Sequence, residues 1–135
     1  MLQQEFEQRV KMPVQAWEFE AINVVYNNSD LDKDEFCKMW RSMNKTRIER
    51  YNKKQAEISR INKMLEKARN LKEKLQAAFS KSGYSTPCYK VLTDKQGALL
   101  DELTNQSAFV FMNVMDASFE LNKPIQRLER ELGLI

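Results

Sequence analysis

A chain of 135 residues, 42% apolar and 30% charged, is long enough for one domain with a buried core and too ordinary in composition to be disordered or fibrous. Three Gly and three Pro leave little turn material, which argues against an all-β sandwich or barrel and for helices. The formal net charge is +3 and there is no His, which excludes His-based acid–base catalysis, Ser-His and Cys-His nucleophiles and His-bearing zinc or iron sites.

From the start, Leu2, Phe6 and Val10 form one apolar stripe on a short helix that Pro13 stops, and Pro13 can open the next helix. Val14, Trp17, Ala21, Val24 and Val25 then recur at helical spacing until Tyr26-Asn27-Asn28-Ser29 breaks the pattern. Ser29 or Asp32 can cap a new helix, and Asp32 with Glu35 has the spacing of a capping box. From there to Ser80 there is neither Gly nor Pro, and propensity dips only at Asn44-Lys45-Thr46, where a bend or break is expected if anywhere.

Tyr51 to Phe79 carries a heptad. Tyr51, Ile58, Leu65, Lys72 and Phe79 hold one core position; Lys54, Ile61, Ala68 and Leu75 hold the other, widened by Met64, Leu71 and Ala78. An unbroken helix of about 50 residues over 29–80 would be about 75 Å long, so it either bends or makes the molecule elongated, and an apolar seam on such a helix invites self-association.

Ser80 to Val91, with Gly83 and Pro87, reads as a loop, and Thr93 with Gln96 forms a capping box. Leu100, Leu103, Ser107, Val110, Val114, Ala117 and Leu121 then alternate three and four apart, and Ile125, Leu128, Leu132 and Ile135 continue the seam past Pro124. Ala108 to Met115 also fits a strand. The expected fold is all-α: a three- or four-helix, coiled-coil-like bundle in one domain over 1–135. It has N-terminal helices over 1–28, a long basic helix over 29–80, a loop over 81–92 and a C-terminal helix over 93–135 kinked at Pro124.

Charge is the most informative feature. Lys38 to Lys81 holds 14 basic and 4 acidic residues, a net of +10, leaving −7 on the remainder. Lys53, Arg60, Lys67, Lys74 and Lys81 recur every seven residues, pointing away from the apolar seam, and Lys63, Arg69 and Lys72 broaden the row. Three readings are open. The row is a sequence-independent track for a nucleic-acid backbone; or it is a solvated helix face with ordinary pairs such as Glu57 with Arg60; or it pairs with the acidic terminal helices.

Asp30, Asp32 and Asp34 alternate like the start of a calcium loop. The Gly and Glu such a loop requires are replaced by Glu35 and Arg41, so helix capping is the better account. Cys37 and Cys88 have no motif spacing and read as buried structural thiols. The clusters Phe36-Met39-Trp40-Met43 and Phe109-Phe111-Met112-Met115-Phe119 read as core, or as a protein-binding surface if exposed. No P-loop, dinucleotide fingerprint or C-x-x-C motif occurs, so neither an enzyme nor a cofactor is expected. No apolar run approaches the roughly 18 residues of a membrane span, the first residues lack a signal pattern, and lone thiols suit a reducing compartment. A cytoplasmic location in a bacterial cell is expected.

Glu5-Phe6 with Arg9, Glu18-Phe19-Glu20-Ala21-Ile22, Tyr26, and the run from Ser29 through Asp32-Lys33-Asp34-Glu35-Phe36-Cys37-Lys38 to Trp40 resemble a group of small proteins. These are encoded by phages, plasmids and conjugative elements of gut bacteria and have no assigned function. The likeness covers roughly the first 45 residues, about a third of the chain, and departs at Lys11-Met12-Pro13, where the group has a Thr-Gly turn. It implies an accessory protein of a mobile element and supplies no catalytic residue.

The function expected from these features is non-enzymatic: helical surfaces binding a protein partner, as in an inhibitor of a host defence complex such as an anti-CRISPR. A net positive charge argues against an acidic DNA mimic. Homo-oligomerisation is expected as well. The alternative is sequence-independent nucleic-acid binding through Lys53, Arg60, Lys63, Lys67, Arg69, Lys74 and Lys81.

Overall fold

The computed structural model describes residues 1–135 and is all-α, with one isolated bridge, Pro87 to Asn113, as its only extended pairing. The chain forms two compact units, Met1–Ala56 and Glu57–Ile135, each around its own apolar cluster.

The first unit begins with α1 (Gln3–Val10), which buries Phe6 and Val10 one turn apart. Lys11 adopts a left-handed conformation at φ 58 and ends the helix. Pro13 does not open the next helix. The Gln3 amide donates to the Val14 carbonyl at 3.0 Å, and the Glu7 carboxylate accepts from the Val14 N–H at 3.0 Å. These bonds hold the chain non-helical until α2 (Ala16–Asn27). Then α3 (Lys33–Met43) starts where the Asp32 carboxylate accepts from the Glu35 N–H at 2.8 Å. Removing this cap with Asp32→Ala is expected to cost about 1 kcal/mol in a urea titration. The core is Phe6, Val10, Met12, Phe36, Cys37, Trp40 and Ile48. Phe6 meets the Trp40 ring edge-on at 5.1 Å, and Tyr26 meets Phe36 at 5.2 Å.

The long helix of the expectation is broken at Asn44. Its side-chain amide and its backbone N–H both donate to the Trp40 carbonyl, at 2.9 and 3.0 Å, closing α3 before α4 (Lys45–Ser82) begins. Within the first unit α4 contributes Ile48 and Tyr51 to the core; Asn52 to Glu57 are exposed.

In the second unit α4 buries Ile61, Leu65, Ala68, Leu71 and Leu75, the predicted seam. Gly83 at φ 94 follows its end. A 3-10 turn, Cys88–Lys90, inserts Cys88 and Leu92 into the core. Four short helices replace the single C-terminal helix expected over 93–135: α5 (Asp94–Thr104), α6 (Ala108–Phe111), α7 (Val114–Glu120) and α8 (Asn122–Glu131). The Thr93–Gln96 capping box opens α5 as expected. Asn105, left-handed at φ 53, closes it, because Asn tolerates that conformation better than most residues. Asn113 then caps α7 by accepting from the Asp116 N–H at 2.8 Å. Pro124 is no kink. It sits in the first turn of α8, where its missing N–H costs nothing, and the break falls at Leu121.

These helices cover the α4 seam with Leu100, Leu103, Ala108, Val114, Ala117, Leu121, Ile125 and Leu128. The seam expected to invite a second chain is therefore filled from within. Ser107 and Val110 are exposed because the chain has left α5 before reaching them. Gly97 is buried where α5 meets α6, and a Cβ there would lie 2.3 Å from the Phe109 ring. The ring is rigid at the atoms concerned. Gly97→Ala is expected to destabilise the fold by about 1–3 kcal/mol despite the better helix propensity of Ala, read as a lower Tm.

Candidate functional site

The basic row lies along α4, with Lys53 in the first unit and the rest in the second. Its members have different surroundings. Arg60 is paired with Glu57 one turn away at 2.6 Å, and Arg69 reaches Glu129 of α8 at 3.4 Å. The Glu57 carboxyl is held below its ordinary value by the Arg60 hydrogen bond. Lys74 donates to the Gln96 side chain at 2.5 Å, and Lys72 donates to that of Asn122 at 2.6 Å. Lys53, Lys63, Lys67 and Lys81 are exposed and make no ion pair. Elements of the solvated-face and charge-pairing readings are thus both present, and four ammonium groups remain available to a polyanion.

The acidic and thiol candidates are structural. Asp32 caps α3, and Asp34 accepts from the Arg9 guanidinium at 2.9 Å. No group of three or more His, Cys, Asp or Glu side chains is placed to hold a metal ion. Cys37 and Cys88 are buried, and desolvation raises both thiols, Cys88 to about 11, which leaves them protonated and unreactive at neutral pH.

The feature that periodicity misplaced is apolar. On α2 the half-buried inner face is Phe19, Ile22 and Tyr26; the stripe Trp17, Ala21, Val24 and Val25 lies on the opposite side and faces outward. Trp17 is 70% exposed, and Val24 and Val25 nearly 60%. On α3 the predicted cluster divides. Phe36 and Trp40 turn inward with Cys37, whereas Met39 and Met43 remain outside, Met43 at 76%. The result is an apolar groove of about 330 Å³ lined by Ala21, Ile22, Val25, Phe36, Met39, Trp40, Met43 and Asn44.

One end of this groove is braced by Arg47. It forms a bidentate pair with Glu18 of α2, its second bond being 2.9 Å, and sits 5.7 Å over the Trp40 ring. That pair joins the start of α2 to the residues just after α3, so α2 and α3 run antiparallel along the groove. Large side chains exposed together on one face, with a groove between two helices, are what a protein-binding surface offers and what a self-contained core avoids. A smaller patch lies in the second unit, where Tyr89, Val110 and Phe111 surround a shallow depression, Phe111 at 84% exposure.

No protein-family model, curated protein or solved structure matches the chain. No helix is long and apolar enough to cross a membrane.

Proposed function

We propose that the chain is a non-enzymatic interaction protein that works through apolar helical surfaces, chiefly the α2–α3 face of its first unit. The carrying observation is the groove lined by Val25, Met39 and Met43, with Trp17 exposed one turn before it on α2, an apolar area with no counterpart in its own chain to cover it. Met at two of these positions suits adaptable contacts, because its unbranched thioether repacks readily against different shapes. The resemblance of the first 45 residues to proteins of phages, plasmids and conjugative elements supports a mobile-element setting in a bacterial cytoplasm. There an inhibitor of a host defence complex, such as an anti-CRISPR, is one form of this function.

The test is capture from a bacterial lysate by immobilised wild-type protein and by a Trp17→Ser, Met43→Ser variant. Both positions are exposed, so the variant is expected to keep its helical circular dichroism and to lose the captured protein. Equal capture by both would remove the groove as the interaction surface.

A second reading rests on Lys63, Lys67 and Lys81 of the second unit, which are exposed and make no ion pair: sequence-independent binding of nucleic acid along that part of α4. Fluorescence anisotropy with labelled DNA and RNA at two salt concentrations separates the two. A steep log–log salt slope, abolished by changing Lys63, Lys67 and Lys81 to Gln, supports the track. Binding unchanged by those substitutions, or absent at low salt, ends it.

A further inference from the structure

We infer that the α2–α3 face binds a second copy of this chain, with the two α2 helices packed antiparallel about a two-fold axis at Ala21. This rests on the reading that the face is the interaction surface, and it names the occupant. The outward stripe of α2 is spaced symmetrically. Trp17, Ala21 and Val25 stand at i, i+4 and i+8 on the outward stripe of α2, with the smallest side chain in the middle. A two-fold operator through Ala21 places Ala21 on its own copy, where two helices can approach closely, and sets Trp17 of each chain against Val25 of the other. An isologous contact requires one patch to be complementary to itself. Here the patch carries a large knob at one end and a groove along the other.

The groove of about 330 Å³ that begins at Ala21 and Val25 is walled by apolar side chains and suits an aromatic knob, which buries roughly 150–250 Å² when it docks. Trp17 is one turn before the groove on its own helix and points outward, so it cannot fill its own groove but can fill its partner's. Charge is compatible with this pairing. The only charged residues of α2 are Glu18 and Glu20. The operator sets Glu18 opposite Val24 and Glu20 opposite Ile22 of the other chain, and Glu18 is already paired with Arg47, so no carboxylate directly faces its own copy. The first unit holds ten basic and nine acidic residues, so the two copies carry no net repulsion and the face shows no signature of a strongly charged partner.

The exposed parts of Trp17, Val24, Val25, Met39 and Met43 amount to roughly 500 Å² per copy, or about 1,000 Å² for the pair before any polar rim is counted, which meets the roughly 1,000 Å² a biological interface has to clear and suits a dimer that dissociates on dilution. The face, not the α4 seam, is thus the place where the chain self-associates, because the seam is covered from within.

The experiment is sedimentation of the full chain combined with directed cross-linking. The expected species at micromolar concentration has twice the 16.0 kDa chain mass. Dilution is expected to dissociate it with a parallel rise in acrylamide quenching of Trp17, Trp40 being buried throughout. Ala21→Glu keeps an exposed helical position in a good helix former and is expected to sediment as monomer with unchanged circular dichroism. For geometry, Trp17→Cys mixed with Val25→Cys is expected to cross-link through a short bismaleimide at least tenfold more than either alone. Cys37 and Cys88 stay silent because both are buried.

A monomer at all accessible concentrations overturns the inference, as does self-cross-linking of Trp17→Cys that exceeds the mixed product. These failures are distinct from failure of the interaction reading. A monomer that still captures another protein through Trp17 and Met43 keeps that reading and loses only the second copy. A monomer that captures nothing through them loses both.

Discussion

Replacing Phe6 by Ala is expected to cost the first unit about 3–5 kcal/mol and to shift the urea midpoint reported by tryptophan emission far below that of the wild type. Phe6 is fully buried and lies where α1, α2 and α3 meet. Its ring meets Trp40 of α3 edge-on at 5.1 Å and lies 6.0 Å from Phe19 of α2. Truncation leaves a void bounded by two aromatic rings on different helices, which cannot both move inward without losing their own contacts. A unit of 56 residues buries a smaller fraction of its surface than a larger domain does, so a loss of this size is a large share of its stability.

The two tryptophans, Trp17 and Trp40, both belong to the first unit, whereas most helical residues belong to the second. Emission therefore reports the first core alone, whereas circular dichroism reports both with the larger share from the second. Phe6→Ala is expected to move the emission transition and leave most of the ellipticity transition in place. Leu121→Ala, in the other core, is expected to do the reverse. Equal displacement of both signals by either substitution would show that the two clusters unfold as one block.

The elements legible in the sequence share one property: their determinants are local. The α4 seam was readable because an uninterrupted run of good helix formers has one period, and Ile61, Leu65, Ala68 and Leu75 occupy it. The α5 start was readable because Thr93 and Gln96 satisfy each other within one turn. The breaks after Thr104 and Phe111 were not. Their three- and four-residue spacing runs on through the interruptions, and the bonds that stabilise them come from elsewhere in the chain. The Asp101 carboxylate accepts from the Phe109 N–H at 2.9 Å, Cys88 N–H donates to the Met112 carbonyl at 3.0 Å, and Val114 N–H donates to the Thr86 carbonyl at 2.8 Å.

The candidate surface was hidden for a related reason. Helix α2 is apolar on two opposite sides, and periodicity finds both without saying which faces the core. Phe19, Ile22 and Tyr26 turn inward because Phe6 and Phe36, on other helices, offer them aromatic partners. Trp17 and its stripe are left outside. A similar division separates Cys37, Phe36 and Trp40 from Met39 and Met43 on α3. The charge row was legible as spacing, whereas the neutral and acidic partners of Lys72, Lys74 and Arg69, contributed by α8, α5 and α8 in turn, lie up to 60 positions away.

The Cys88 thiol is expected to make the fold lose about 2 kcal/mol between pH 9 and pH 11. The side chain is fully buried in the second core, and desolvation pushes its ionisation up to about 11 from 9.0, with Asp101 and Asp116 adding smaller repulsion. Below pH 9 the thiol is protonated in the folded and the unfolded chain alike, so it contributes no pH dependence. Between the two values the unfolded chain has released the proton and the folded one retains it. The folded state then binds more protons, and stability falls as pH rises, levelling off once the folded thiol ionises near 11. Burial of Cys37 acts in the same direction.

The measurement is a difference between two chains, so that every other group cancels. Urea titrations of the wild type and Cys88→Ala are made at intervals from pH 7 to pH 11. The substitution is expected to cost about 1 kcal/mol at pH 7, where it leaves a small void, and to become neutral or stabilising at pH 11, because it removes the group that favours the unfolded chain. A difference that stays constant across the range would mean that the thiol ionises as readily inside the fold as outside it, through water reaching Cys88 past the 3-10 turn that carries it.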